Sequence, residues 1–137
     1  AVMPSRLHLA LLVTLFALSS VEGSVKLRKA SNAAAKGDVE QAVQLYKEAI
    51  EEGEDGPEEM IASHELGILL SQNGRISEAV EWFDRSIELS MPEMRPQMMY
   101  NKGYSLQQAG LADEALRAYL GALEANPDFR EAHIKSA

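Results

Sequence analysis

The sequence predicts an all-α chain, an α-solenoid of three antiparallel helix pairs plus the start of a further helix. One spacing of small and aromatic residues occurs three times, in Gly37–Ala42–Tyr46–Ala49, Gly74–Ala79–Phe83–Ser86 and Gly110–Ala115–Tyr119–Ala122. The steps from alanine to aromatic to small residue are helical, so each group lies on one face of a helix beginning just after the glycine. Each such helix follows another helical stretch, and the matching alanines Ala42, Ala79 and Ala115 stand 37 and 36 residues apart. A helix–turn–helix unit of that length cannot bury its apolar stripe alone. Stacked copies must bury it for one another.

The elements follow in order. Residues 1–23 have the layout of a secretory signal peptide: a mildly basic start at Met3–His8, an uncharged apolar run from Leu9 to Leu18, then small residues ending at Val21-Glu22-Gly23. Cleavage is expected before Ser24. The apolar run of about 12 residues falls short of the roughly 20 needed to span a bilayer. An uncleaved signal anchor is the alternative. A buried N-terminal helix of a cytosolic solenoid fits less well, because no polar face interrupts Leu9–Leu18. Ala1 and Val2 stand ahead of Met3, as in a piece of a longer protein.

Residues 24–137 form the expected repeat domain, with units at about 24–56, 57–93 and 94–127. Residues 128–137 are either a capping helix or a truncated repeat. The helix from Val25 to Lys36 is broken by Gly37-Asp38, where Asp38 suits the N-cap of a helix running to about Glu52. The acidic stretch Glu51–Glu59 reads as a solvated loop, with Pro57 in the first turn of a helix that continues to about Gln72. Asn73-Gly74 should end that helix in the left-handed conformation. Ser77–Leu89 is its partner. Met91-Pro92 and Arg95-Pro96 mark the next connector, since residues before proline avoid the helical region. Met98–Ala109 and Ala112–Glu124 make the third pair, which Asn126-Pro127 stops.

A net charge of −8 makes nucleic acid and anionic membranes poor partners, and the absence of cysteine excludes disulfides and thiolate metal sites. His64-Glu65-Leu66-Gly67-Ile68 begins like a zinc-peptidase helix, but Ile68 stands where the second histidine is needed and cannot bind metal. The carboxylates Glu51, Glu52, Glu54, Asp55, Glu58 and Glu59 lack the alternating spacing of a calcium loop. There is no phosphate-binding glycine loop and no nucleophile elbow. No catalytic residue, metal or cofactor is expected.

The pattern resembles the tetratricopeptide repeat, whose unit is 34 residues long. The second unit carries the resemblance best in Leu66-Gly67, Leu70, Gly74, Ala79, Phe83 and Pro92. The third has Gly103, Leu106, Gly110, Ala115, Tyr119, Ala122 and Pro127. The first departs, with Ala30 where the family prefers glycine and no proline before Pro57. Connectors two or three residues longer than the family's are tolerable, because surface loops lengthen cheaply.

The resemblance implies a right-handed superhelix whose concave wall is formed by the first helix of each pair, with extended peptides lying along it. Carried across by offset, the groove residues are Leu27, Ser31 and Ala34, then Ile61, His64, Ile68 and Ser71, then Gln97, Tyr100, Tyr104 and Gln107. Some family members hold a C-terminal carboxylate with Lys, Asn and Arg at such places. Leu27, Ser31, His64, Ile68, Tyr100 and Tyr104 stand there instead, leaving an apolar and aromatic groove with hydroxyl and amide edges. Tyrosine suits a binding hot spot. Alternatively Tyr100 and Tyr104 pack on each other and on a neighbouring helix.

The expected function is a non-catalytic scaffold in the secretory pathway that binds a peptide or a partner helix. The alternatives are the N-terminal part of a longer enzyme, such as a glycosyltransferase, or of a co-chaperone of the endoplasmic-reticulum lumen.

Overall fold

The computed structural model describes residues 21–129, with side chains from residue 25 onward. The expected leader up to residue 20 and the expected further helix at residues 130–137 lie outside the described residues. Six helices follow one another: α1 Val21–Ala35, α2 Val39–Glu52, α3 Pro57–Gln72, α4 Ile76–Leu89, α5 Arg95–Gln108 and α6 Ala112–Ala125. No strand occurs among the described residues. The backbone of α1 runs across the expected cleavage point between Gly23 and Ser24.

The turn inside each pair is the same three times, for a reason visible in the backbone. Gly37, Gly74 and Gly110 take φ of +81°, +77° and +85°, where a side chain would be strained. The amide one residue later then reaches back to the helix it has left: Asp38 to the Ala33 carbonyl at 3.0 Å, Arg75 to Leu70 at 2.9 Å and Leu111 to Leu106 at 3.0 Å. Glycine amides close the companion bonds to Ala34, Ser71 and Gln107, completing a Schellman turn. Asn73 differs from expectation: its φ of −101° leaves the left-handed step to Gly74 alone. Asp38 stands at the N-cap position but makes no side-chain capping bond, because its backbone (ψ 76°) is drawn into the turn.

Two other expectations need correction. Helix α5 begins at Arg95, three residues before the expected Met98, because Pro96 sits in its first turn, where a missing N–H costs nothing. Glu59 is not solvated. It is buried in α3, accepting from the Arg85 guanidinium of α4 at 2.7 Å and from the Asp55 amide at 2.7 Å. Arg85 also pairs with Asp55, so part of the acidic connector is tied down by a cation 26 residues ahead of Glu59.

The stacking alanines are where close helix contact requires them. Ala42 and Ala79 are 0% exposed and Ala115 is 2% exposed, while Tyr46, Phe83 and Tyr119 are buried beside them. A Cβ added at Gly67 would stand 2.7 Å from the Phe83 ring, and one at Gly103 would stand 2.7 Å from the Tyr119 ring. Glycine lets α3 and α5 touch those rings with bare backbone. One apolar cluster runs through α1–α4, from Ala30 to Phe83. A second is centred on Leu106, Ala115, Tyr119 and Ala122 in the third pair, with Ile76 and Val80 of α4 packed against it.

Candidate functional site

The first helices α1, α3 and α5 contribute residues at one repeated register to a shared face. Ser31, Ile68 and Tyr104 occupy one row, at steps of 37 and 36 residues, and Ala35, Gln72 and Gln108 occupy a second at the same steps. Between α1 and α3 lies a hollow of about 280 Å³ lined by Ser31, Ala34, Ala35, Tyr46, Glu65, Ile68, Leu69 and Gln72. Between α3 and α5 lies another of about 350 Å³, lined by Ile68, Ser71, Gln72, Tyr104, Ser105, Gln108 and Ala109. The two share Ile68 and Gln72, so they adjoin on either side of α3 and form one grooved face across three helices.

The structure brings Ser31, Ala34, Ile68, Ser71 and Tyr104 of the sequence-predicted set into this groove. Tyr104 is 45% exposed there, offering a broad aromatic surface. Ser71 is buried, and its hydroxyl donates to the Ile68 carbonyl at 2.8 Å, so it shapes the wall.

The remaining six lie elsewhere. Leu27 packs against the first apolar cluster. His64 lies against the Phe83 ring with centroids 5.7 Å apart, and burial pushes its imidazole below the usual value. Tyr100 packs at a tilt on Tyr119 at 5.5 Å and meets Phe129 edge-on at 5.8 Å, so it closes the third pair. Gln107 accepts from the Tyr119 hydroxyl at 2.7 Å. Gln97 donates to Asn101 at 2.9 Å, one turn along α5. Ile61 is exposed and lines neither hollow.

Several lining residues were not anticipated: Ala35, Tyr46, Glu65, Leu69, Gln72, Ser105, Gln108 and Ala109. The recurrence of Gln72 at Gln108 was a signal available in the sequence. Tyr46 is different, because it belongs to a second helix, α2, yet lines the hollow between α1 and α3. Its phenol is pushed up first by burial and then by the Glu65 carboxylate, while a hydrogen bond with the Ser31 hydroxyl opposes the shift. Glu65 supplies the one charged side chain lining either hollow, and its Oε2 atom is buried without a hydrogen-bond partner. Among the described residues no cluster of His, Asp and Glu could hold a metal ion, and no helix is long and apolar enough to cross a membrane.

Residues 27–93 and 100–137 match the Tetratricopeptide repeat family. The match covers most of the chain, which therefore belongs to that family. Among solved structures the chain is similar to the N-terminal domain of stress-induced protein-1 (STI-1) from C. elegans, with a TM-score of 0.67 and 14% sequence identity over 85% of this chain and 94% of that one. At that identity the likeness concerns the fold. No curated protein matches the chain.

Proposed function

We propose that this protein is a non-catalytic interaction scaffold that holds an extended peptide or a partner helix along α1, α3 and α5. The observation that carries this reading is the pair of adjoining hollows, about 280 Å³ and about 350 Å³ on either side of Ile68 and Gln72. Its walls combine an apolar surface with amide and hydroxyl edges, as a site for an extended chain requires. A repeat array displays such a surface by construction, because each pair contributes one helix to it. Tyr104→Ala combined with Ile68→Ala should weaken a bound peptide by tenfold or more while circular dichroism stays helical. Unchanged binding would place the site on another face.

The leader-like segment at residues 1–23 supports a place in the secretory pathway. Expression of the full chain in a secretory host followed by N-terminal sequencing tests this. A mature start at Ser24 agrees with it, and an intact leader on a cytosolic product contradicts it.

A further inference from the structure

We propose that the groove selects an internal peptide segment carrying a lysine or arginine, and that Glu65 receives its cation. This rests on the groove reading above and adds to it the chemistry of the occupant. Glu65 lies at the middle of the three first helices, on the wall of the smaller hollow. An ionised carboxylate offers about four acceptor sites. Tyr46, with a single O–H, bonds to it, the Ser31 hydroxyl bonds in turn to Tyr46, and Oε2 is buried with no donor.

Carboxylates elsewhere in the second pair already have cations. Glu59 meets Arg85 at 2.7 Å and Glu78 meets Arg75 at 2.8 Å. Glu65 is set in the wall of a hollow that neither lysine nor arginine lines. A buried acceptor without a donor is unfavourable, and a charge-assisted bond from an ammonium or guanidinium is the strongest way to relieve it. An occupant of the hollow supplies that donor once the half-buried Glu65 carboxylate turns toward it.

Two features identify the occupant as an internal segment. The hollow at Glu65 adjoins the larger one across Ile68 and Gln72, so a chain seated at Glu65 can pass over α3 toward Tyr104. A terminal carboxylate would find no cation lining either hollow and would be repelled by Glu65. Gln72 and Gln108 can hold the backbone of the segment, and Tyr104 takes an apolar side chain a few residues from the basic one. The net charge of −8 draws such a segment in.

The test is a selection of displayed random 12-residue peptides on the full chain. It is followed by fluorescence anisotropy of the recovered peptides on wild type, Glu65→Gln, Glu65→Lys, and Ile68→Ala with Tyr104→Ala, each checked for helicity. The recovered peptides should share a lysine or arginine. Glu65→Gln should weaken them about tenfold, as should norleucine in place of that lysine. Selection on Glu65→Lys should recover acidic peptides instead. Peptides that lose binding with the Ile68 and Tyr104 changes, yet share no basic residue and ignore Glu65→Gln, would overturn this inference and leave the groove standing. Peptides indifferent to all these variants, or no peptides at all, would overturn the groove as well.

Discussion

The seam between the first and second helix pairs is built differently from the seam between the second and third. The first is continuous: one apolar cluster passes from Ala30 through Val43, Tyr46, Leu66 and Leu70 to Phe83. Its connector is drawn tight, with Glu54 and Asp55 at φ of 48° and 58° and the Gly56 amide bonded to the Gly53 carbonyl at 2.8 Å. Arg85 holds Asp55 of that connector, and Arg75 reaches across to Glu40 at 3.2 Å.

The second seam has Ile76 and Val80 against a separate cluster, and one ion pair, Lys102 to Asp84 at 2.6 Å. A hollow of about 350 Å³ bounded by Val80, Met99, Leu106, Ala118 and Gly121 interrupts the packing there. In a solenoid each unit is stabilised by its neighbours, so unequal seams make unequal units. The first two pairs should behave as one cooperative block and the third as an appendage that opens more easily. The groove crosses both seams, so its half at Glu65 rests on firm ground and its half at Tyr104 on a more adjustable one.

The largest effect should come from the aromatic that anchors the firm block. Phe83→Ala should cost about 3–5 kcal/mol and shift urea unfolding monitored by circular dichroism and by Trp82 fluorescence together. Trp82 is the only tryptophan and lies in α4, so it reports on that block. Leu106→Ala, at about 2–5 kcal/mol, should instead split the two signals, with helicity falling before Trp82 responds. Coincident transitions for Leu106→Ala would erase the distinction between the seams.

Gly67→Ala and Gly103→Ala come next. Alanine favours a helix by about 1 kcal/mol over glycine, but the new methyl would enter the Phe83 or Tyr119 ring. A net loss of about 1–3 kcal/mol is expected in denaturant melts. Gly103→Ala should be the worse of the two, because the Ala115 carbonyl stands 3.2 Å from the added carbon and cannot rotate away.

Two ion pairs follow. Arg85→Met leaves Glu59 buried without its cation and should lower the melting temperature clearly. Lys102→Met breaks a more exposed pair and should cost less than about 1 kcal/mol. The smallest effect is in pH. Burial lowers the His64 imidazole below its usual value of about 6.5, so below that pH the unfolded chain takes up a proton that the folded one refuses. Stability should therefore decline as pH falls from about 6.5 toward the depressed folded value, and His64→Asn should flatten this part of a melting-temperature profile.

Much of the fold was legible because it depends on geometry that recurs. Gly37, Gly74 and Gly110 announce left-handed turns, and Ala42, Ala79 and Ala115 announce close helix contact. Pro96 was ambiguous in principle, since proline both opens helices and forbids the residue before it from joining one. Glu59 looked like one more solvated acid because its partner, Arg85, is distant in sequence. The candidate site was legible in its rows but not in its depth. Tyr100 and Tyr104 sit one turn apart on α5, and only the positions of Tyr119 and Phe129 separate the packed ring from the exposed one. Glu65 read as part of a failed metal motif, and Tyr46 as pure core. Their meeting at the groove wall follows from how α2 sits beneath α1 and α3, which no local spacing encodes.

Native-state hydrogen exchange of the full chain, resolved by peptide and mass, tests the two-seam account most directly. The account predicts that the amides of α1 to α4 exchange as one highly protected unit, with α5 and α6 opening earlier at lower free energy. Uniform protection across all six helices, or slower exchange in α5 and α6 than in α3 and α4, would contradict it.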